Sequence, residues 1–302
     1  MNPLDTMQAF VRVAELASFT QAAQSLDLPK ASVSMAVQKL EAQLGARLLH
    51  RTTRRVQMTQ DGQAFYERCK DLLADMEELQ AMFQPGDAPL LGRLRVDMPI
   101  GVARHLVLPR LPAFLRAHPG LDLELSSTDR RVDLVREGFD CVLRVGSLGD
   151  SSLVARPLGQ MRQINCASRA YIQAHGAPTG LEDLVARHRL IHYMPSFGAR
   201  SPGFEYVDPA SDETRFAAMT GALTVNNSEA YVGACLAGLG LIQVPAMGIR
   251  ALLASGELVE VLPTLQARPM PVSLLYANRR HQPKRVQVFM QWMAEQMVDY
   301  LA

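Results

Sequence analysis

The sequence is poor in cysteine and lacks long apolar runs. Its four cysteines lie far apart among 302 residues and form no Cys-x-x-Cys pair, so neither a disulfide framework nor a cysteine zinc site is expected. No apolar run approaches the roughly 18 residues that are needed to span a bilayer. The first residues lack the basic and apolar regions of a secretory signal. These absences predict a cytoplasmic protein without a membrane partner.

An excess of charge of one sign is also missing, because the 31 lysines and arginines are balanced by 30 aspartates and glutamates. This balance excludes a uniformly basic protein that coats nucleic acid, but it leaves open a basic patch on one domain. A hydrophobic fraction of 48% with 20% charged residues excludes a disordered chain. The length corresponds to about two domains of ordinary size.

Motifs for catalysis and cofactor binding are absent from the sequence as well. It contains no Gly-x-Ser-x-Gly elbow, no P-loop and no Gly-x-Gly-x-x-Gly fingerprint that opens a helix. His188 and His192 stand four residues apart, but the residues between them have a strand pattern, which separates the two rings. We therefore expect no enzymatic activity, no catalytic residue, no metal site and no cofactor.

The first 58 residues contain three short segments in which apolar residues recur with the spacing of a helix face. Ser18 or Thr20 can cap the second segment, and Gly45 ends the third. The inner face of the third segment consists of Val33, Val37, Leu40 and Leu44. A tight turn joins the last two segments, so the pattern is typical of a helix-turn-helix.

Basic residues are concentrated in and just after the third segment. Residues 28–58 contain Lys30, Lys39, Arg47, Arg51, Arg54 and Arg55. Glu41 is the one acidic residue of this stretch. The alternative is that any domain of three helices can carry a few arginines. Because the chain as a whole is neutral, the concentration favours a cationic surface that meets phosphate.

Residues 59–83 form one amphipathic stretch, for which Thr59 is a plausible cap. Its apolar stripe has the alternating spacing of four and three residues that is typical of a coiled coil. The stripe consists of Phe65, Cys69, Leu72, Met76, Leu79 and Phe83. We expect it to pair with its own copy in a second chain, with packing on the N-terminal domain as the alternative. Cys69 is interpreted as a small core residue rather than a reactive thiol.

A cluster of turn-forming residues at 84–89 separates this helix from a region with a different pattern. From Gly92 onward, short runs rich in valine and leucine alternate with helical segments. This alternation predicts an α/β domain, in which ligands bind at the carboxyl ends of the strands.

Several motifs along the chain carry a family resemblance. In the first region they are Phe10, Ser18-Phe19-Thr20-Gln21-Ala22-Ala23, Leu26, Ser34, Leu40-Glu41, Leu44-Gly45, Leu48-Leu49, Arg51-Thr52, Thr59 and Gly62. In the later region they are Gly92-Arg93-Leu94-Arg95-Val96, residues 138–146 and Ala237-Gly238-Leu239-Gly240-Leu241. Together they resemble LysR-type transcriptional regulators over essentially the whole chain. One departure is Pro29-Lys30-Ala31-Ser32, where the family often has Ser-Gln-Pro at the start of its recognition helix.

The resemblance implies a fold class of two parts joined by a long linker helix. The N-terminal part is a winged helix-turn-helix, and the C-terminal part is an α/β effector domain with two lobes, like a type 2 periplasmic binding protein. The implied limits are 1–58 for the DNA-binding domain, 59–84 for the dimerisation helix, 85–91 for a hinge and 92–302 for the regulatory domain. Lobe 1 would take about 92–162 and 267–302, and lobe 2 about 163–266.

By resemblance, the helix over residues 31–44 enters the major groove of DNA and a wing grips the flanking backbone. The predicted DNA-binding residues are Lys30, Ser32, Ser34, Met35 and Gln38 on the helix and Arg51, Arg54 and Arg55 in the wing. Their donors can reach base edges or phosphates. For Ser32 and Ser34, a role as helix cap is the alternative.

The implied effector site lies between the two lobes, at strand ends and helix starts. Its predicted residues are Pro99, Ile100, Gly101, Thr128, Asp129, Arg144, Cys166, Asn227 and Ser228. Amides at helix N-termini favour an anion, so a small carboxylate is the expected ligand. The alternative roles are structural: Thr128 and Ser228 as caps, and Arg144 paired with a nearby acid. A redox role for the cysteines is disfavoured by their apolar surroundings.

The sequence thus predicts a DNA-binding transcription regulator that a small-molecule effector controls. The alternative is a metabolite-binding or enzymatic α/β protein whose N-terminal segment only dimerises. The basic stretch 47–55 favours the regulator. The implied partners are double-stranded DNA with an interrupted inverted repeat, a second copy in a homodimer, a homotetramer built as a dimer of dimers, the effector and RNA polymerase.

Overall fold

A computed structural model gives the structure of the chain. It describes residues 2–51, 56–81, 90–148, 153–198, 201–277 and 282–301. The chain divides into two compact units, one formed by residues 1–93 with 118–122 and the other by 94–117 with 123–302.

The N-terminal unit is a helix-turn-helix followed by a two-stranded hairpin and a long helix. Its elements are α1 (Pro3–Leu16), α2 (Phe19–Ser25), α3 (Lys30–Leu44), β1 (Leu49–Arg51), β2 (Val56–Met58) and α4 (Gln60–Ala81). The two strands are antiparallel, with Leu49 opposite Met58. The helices and the hairpin together make the winged helix-turn-helix that the sequence predicts.

Local capping explains where these helices begin and end. The Asn2 side chain accepts the amide of Asp5, and the Asp5 carboxylate accepts the amide of Asn2, a reciprocal capping box. Ser18 rather than Thr20 caps α2, since its hydroxyl accepts the amide of Gln21. Helix α3 ends at Gly45, whose φ of 66° lies in the left-handed region that favours glycine.

The core of the N-terminal unit lies between α1, α3 and the start of α4. Its fully or almost fully buried side chains include Phe10, Val13, Val33, Val37, Leu40, Leu48 and Cys69. The rings of Phe10 and Phe65 lie 5.7 Å apart. The apolar faces predicted for the first and third helices therefore meet, and α4 closes the core. The prediction is wrong for Leu44, which lies at the end of α3 and is 45% exposed.

The C-terminal unit contains a five-stranded sheet in the order β4-β3-β5-β14-β6. Its strands are β3 (Gly92–Met98), β4 (Leu121–Ser127), β5 (Cys141–Val145), β6 (Val154–Met161) and β14 (Met270–Tyr276). Strands β3 and β5 are parallel, whereas β14 is antiparallel to both of its neighbours. The sheet is mixed rather than purely parallel, because β14 is added only after the chain has built a second sheet.

Helices accompany this first sheet. They are α5 (Ile100–Val102), which continues through π-helical turns at Ala103–Val107 into α6 (Leu108–Ala117), then α7 (Leu134–Glu137) and the last helix, α12 (Lys284–Met297). Aromatic rings join α6 to α12, because Phe114 lies 5.8 Å from Phe289 and 4.7 Å from Trp292 between ring centroids. Burial of these large rings stabilises the pair of helices.

The second sheet has β7 (Gln163–Ser168) between two antiparallel neighbours, β12 (Ile242–Pro245) and β13 (Leu258–Glu260). Two further pairs are β8 (His192–Tyr193) with β11 (Thr224–Val225) and β9 (Phe204–Val207) with β10 (Thr214–Ala217). The helices are α8 (Arg169–His175), α9 (Leu181–Arg187), α10 (Ser228–Leu236) and α11 (Arg250–Ala254). The limits predicted for domains and lobes stay predictions.

Candidate functional site

The exposed face of α3 carries the residues that the sequence singled out for DNA. Lys30 and Gln38 are exposed, and Ser32 and Ser34 are half-buried. Met35 is 61% exposed, a large exposed fraction for an apolar residue. Met35 and Gln38 lie opposite the buried stripe that holds α3 in the core, and Lys30, Ser32 and Ser34 flank it. Hydrogen-bonding side chains and one apolar side chain of this kind suit contacts in a groove.

Neither predicted serine caps α3. The helix begins after Pro29, which provides no side-chain cap. Proline at this point instead sets the backbone angle for the first turn. The capping alternative for Ser32 and Ser34 is therefore wrong.

The one acidic residue of this basic stretch has a structural role that the sequence did not reveal. Glu41 Oε1 accepts the amides of Leu48 at 2.8 Å and Leu49 at 3.1 Å, at the start of β1. The carboxylate thus ties α3 to the hairpin. Its negative charge is satisfied by backbone donors, as expected for a carboxylate in a partly buried site.

The predicted wing arginines are only partly covered by the structure. Arg54 and Arg55 lie outside the described residues, and so does the side chain of Arg51. The base of the hairpin is described, and Thr59 fixes it to α4. The Thr59 hydroxyl donates to Arg47 O at 2.7 Å and accepts the amide of Gly62 at 2.8 Å. These two hydrogen bonds hold the base of the hairpin to the residues that precede and follow it.

The stripe predicted for dimerisation is divided between two roles. Phe65 packs on the core of its own N-terminal unit, and Cys69 is only 2% exposed within that core. Burial raises the pKa of Cys69 to about 11, which keeps the thiol protonated. Leu72, by contrast, is 47% exposed. A dimer contact through Cys69 is therefore wrong, because the same chain already buries it, whereas Phe65 is only partly buried.

A cavity of about 290 Å³ lies in the C-terminal unit between its two sheets. Of the predicted effector residues, Pro99, Gly101, Thr128, Asp129, Arg144 and Ser228 line it. The lining that sequence reasoning missed includes Val102, His105, Val145, Met161, Gln163, Tyr193, Glu229, Tyr231, Val244, Met247, Ile249 and Met270. Most of these are apolar residues without a sequence motif, so no local signal marks them.

Three of the predicted effector residues have other roles. Cys166 is fully buried in the core beside β7. Asn227 caps α10, since its side-chain oxygen accepts the amide of Ala230 at 2.9 Å. Ile100 contributes its backbone amide rather than its side chain. Their positions at strand ends and helix starts predict a place at the site. In the structure these three residues stabilise the fold instead.

Asp129 is the centre of the cavity's polar wall. Its carboxylate accepts the amide of Ile100 at 3.0 Å and that of Ser228 at 2.5 Å. Burial raises the pKa of Tyr193 above its ordinary value, and the adjacent Asp129 carboxylate, which is hydrogen-bonded to the phenol, raises it further. The Tyr193 phenol is therefore protonated. The Asp129 carboxylate thus joins the starts of α5 and α10.

Arg144 lines the cavity, and its charge is paired with an acid. Its Nη2 lies 2.7 Å from Oδ2 of Asp97, which is fully buried. Asp97 also accepts the hydroxyls of Ser126 at 2.7 Å and Thr128 at 3.2 Å. The alternative that Arg144 pairs with a nearby acid is therefore right, and Thr128 supports that acid.

The remaining charged groups near the cavity form another cluster. Glu229 pairs with Arg104, and its Oε1 lies 3.8 Å from Nε2 of His105. The cluster joins α10 to the helix that follows β3. Its carboxylate and its guanidinium neutralise each other.

The cysteines of this unit are inert in their surroundings. Burial raises the pKa of both Cys166 and Cys235 to about 12. Cys235 Sγ lies 3.8 Å from the carbonyl oxygen of Cys166. Protonated and buried thiols react slowly with oxidants, so the geometry disfavours a redox sensor.

Metal and membrane sites are not found in the described parts of the chain. Within those ranges, no three side chains of His, Cys, Asp or Glu are grouped to hold a metal ion. No described helix is both long and apolar enough to cross a bilayer. His188 lies instead in a buried contact with Tyr171, whose hydroxyl is 3.4 Å from its Nδ1.

Two matches to family models show to which family the chain belongs. Residues 4–63 match the bacterial regulatory helix-turn-helix proteins of the LysR family, and residues 87–298 match the LysR substrate-binding domain. The chain belongs to the LysR family. LysR-type proteins are transcriptional regulators that bind DNA and small-molecule effectors and form oligomers. The enzymatic alternative is thereby excluded.

Individual relatives agree with the family over the full chain. YhjC of Escherichia coli strain K12, an uncharacterized HTH-type transcriptional regulator, is 46% identical over 301 residues, which make up 100% of both chains. The HTH-type transcriptional repressor PA14_22550 of Pseudomonas aeruginosa is 38% identical, and the match covers 98% of this chain and 92% of the relative.

A solved structure supports the fold of this LysR-type regulator. The LysR-type regulator CrgA of Neisseria meningitidis matches it with a TM-score of 0.62 at 27% identity, over 97% of this chain and 98% of CrgA. The resemblance stated from sequence motifs is therefore confirmed for both domains.

Proposed function

We propose that this LysR-type regulator reads DNA through the exposed face of α3. The contacts would be made by Lys30, Ser32, Ser34, Met35 and Gln38, with Arg51, Arg54 and Arg55 on the flanking backbone. The observation that carries the proposal is the polarity of α3: one side is buried in the core, and the other presents these side chains to solvent. The inward-turned carboxylate of Glu41 leaves this surface cationic.

The oligomer and the domain limits belong to the same proposal. Two copies would place two α3 helices on successive turns of an inverted repeat, and a dimer of dimers would extend the site. Leu72 supports pairing through α4, because its exposed side chain continues the apolar stripe beyond the core. We propose the domain limits that the sequence predicts: 1–58 for the DNA-binding domain, 59–84 for the dimerisation helix, 85–91 for the hinge and 92–302 for the regulatory domain. Contact with RNA polymerase stays a prediction from the family resemblance.

We propose that the effector binds in the cavity that Asp129 lines, called here the Asp129 cavity. Its volume lies near the lower end of the range of volumes of small-molecule pockets. The anionic class that was predicted for it depended on free amides at the starts of α5 and α10. The amides of Ile100 and Ser228 already donate to Asp129, so they give no support to an anion. The partnered charge of Arg144 gives none either.

A salt-dependent DNA titration tests the reading head. The full chain first selects a duplex from a random library, and binding to that duplex and to an unrelated one is then measured by fluorescence anisotropy at several salt concentrations. Arg54→Ala should weaken binding to both duplexes and lower the salt slope by about one. Lys30→Ala should change the preference between the two duplexes.

The exposed Arg116 provides a control of equal charge change in the other unit. Arg116→Ala should match the wild-type chain on both duplexes. Wild-type affinity and slope for Arg54→Ala would contradict the backbone role of the wing, and an unchanged preference for Lys30→Ala would contradict base reading by α3.

A further inference from the structure

The free capacity of the Asp129 carboxylate limits what the cavity can hold. An ionised carboxylate has about four lone-pair positions for hydrogen bonds. The amides of Ile100 and Ser228 take two of them. The Tyr193 phenol lies near the same carboxylate. At least one position therefore stays open to a donor. The cavity therefore has room for a hydrogen-bond donor at Asp129.

The charges around the cavity argue against an anionic occupant. Among the described residues, Arg144 is paired with Asp97 and Arg104 with Glu229. No described cation pairs with Asp129 itself. A carboxylate brought into the cavity would therefore meet a fixed negative charge without a cation to offset it.

A second polar atom belongs to a residue of the same cavity wall, Ser228. The Ser228 hydroxyl oxygen is buried and has no hydrogen-bond partner among the described residues. Buried polar groups are nearly always hydrogen-bonded, so an orphan in a cavity wall indicates a missing partner. The backbone amide of the same residue donates to Asp129, so the hydroxyl and the carboxylate belong to neighbouring parts of the wall.

The rest of the wall is suited to a flat apolar body. Met161, Met247 and Met270 line the cavity together with Tyr193 and Tyr231. Methionine side chains adapt their shape and make favourable contacts between sulfur and aromatic rings. Tyrosine rings pack against other rings at a preferred offset. Such a wall favours an aromatic ring over a flexible polar chain.

We infer that the effector is an aromatic compound without negative charge, and that its hydroxyl or amino group donates a hydrogen bond to Asp129 and contacts the Ser228 hydroxyl. This inference rests on the proposed function, because it assigns a ligand class to the proposed cavity. It goes against the anionic ligand that the helix starts predicted. The cavity's own carboxylate already occupies the place that such an anion would take.

Three brominated probes of one size separate the possibilities. 4-Bromophenol carries a donor, 4-bromoanisole replaces the donor by a methyl ether, and 4-bromobenzoate carries a negative charge. Isothermal titration with the full chain at pH 7 gives the dissociation constants. Crystals soaked with each probe then locate the bromine by its anomalous scattering.

We expect 4-bromophenol to bind roughly tenfold or more tightly than 4-bromoanisole, the effect typical of a hydrogen bond to a charged acceptor. 4-Bromobenzoate should show no binding in the cavity. Asp129→Asn should abolish the preference for the phenol, and Ser228→Ala should reduce it even if the former variant is unstable. Asp122→Asn removes an exposed carboxylate elsewhere and should leave every constant unchanged.

The failures of the inference and of the proposed site are distinguishable. Bromine density of 4-bromobenzoate in the cavity, with affinity equal to that of the phenol, would overturn the ligand class and keep the site. An empty cavity with all three probes at 10 mM would overturn both. Equal binding of the phenol and the anisole would remove the donor to Asp129 from the assignment.

Discussion

Replacing Gly62 by alanine should lower the unfolding temperature of the DNA-binding unit more than replacing a nearby glycine by alanine. Gly62 lies in the first turn of α4, and a Cβ built on it would lie 1.9 Å from the carbonyl oxygen of Leu48. Contacts of a real Cβ stay above 3.0 Å, so the backbone has to move by more than an ångström. The neighbour is main chain, which cannot turn away as a side chain can.

The magnitude follows from what this movement breaks. Leu48 O accepts the amide of Thr59 at 2.9 Å, and the Leu48 amide donates to Glu41. Overpacking costs about 1–3 kcal/mol and each lost hydrogen bond about 1 kcal/mol, while alanine regains about 1 kcal/mol in helix propensity. The net loss is about 3 kcal/mol, which lowers the Tm of a unit of this size by more than about 10 °C.

Gly45→Ala is the matched control, because Gly45 has a φ of 66° and nothing within 4 Å of a built Cβ. It should cost only about 1–2 kcal/mol, the strain of a left-handed alanine. Scanning calorimetry of the full chain, with hydrogen exchange at residues 47–62 to identify the affected unit, measures both variants. A Gly62→Ala chain as stable as Gly45→Ala, with unchanged exchange, would refute the steric argument.

Three further predictions concern thiol chemistry, the buried ion pair and the dimer. With a pKa of about 12, about one Cys235 thiol in ten thousand is ionised at pH 8. Iodoacetamide should therefore not label this thiol in the native chain until the pH approaches 12. Mass spectrometry measures the labelling. Asp97→Asn should lower the free energy of unfolding by about 3–5 kcal/mol, because it leaves the charge of Arg144 uncompensated. Ser126→Ala should lower it by about 1 kcal/mol. A urea titration measures both variants. Leu72→Glu should lower the sedimentation coefficient toward that of a monomer.

Each of these has a contrary result. Rapid labelling of Cys235 at pH 8, with the urea-unfolded chain as the reference for full labelling, would contradict its burial. Equal losses for Asp97→Asn and Ser126→Ala would mean that the ion pair does not stabilise this unit. An unchanged sedimentation coefficient for Leu72→Glu would place the dimer contact elsewhere.

The local part of the fold could be predicted from the sequence, because the signals for it are local. The stripe Val33, Val37 and Leu40 does face the core, and Gly45 does end α3. The stripe on α4 shows the limit of such reasoning. Its spacing indicates that Phe65 and Cys69 pack against something, but it does not show whether the covering surface belongs to the same chain.

The candidate effector site could be placed only roughly from the sequence. Strand ends and helix starts gave the right region, since Thr128, Asp129 and Ser228 line the cavity. The partners of Asp129 are amides 29 and 99 residues away, and no local pattern records contacts over such distances. The expected anionic ligand stays a prediction: the sequence shows the amide donors at the helix starts, but it does not show that Asp129 accepts their hydrogen bonds.

The two bonds of Glu41 have a mechanical consequence. A single oxygen holds consecutive amides at the root of the hairpin, so it links α3 to the base of the hairpin. If α3 enters the groove as proposed, a tilt of α3 on the duplex would be transmitted to the hairpin base. Differences in DNA shape beside the hairpin would then change the contacts of α3 with the bases.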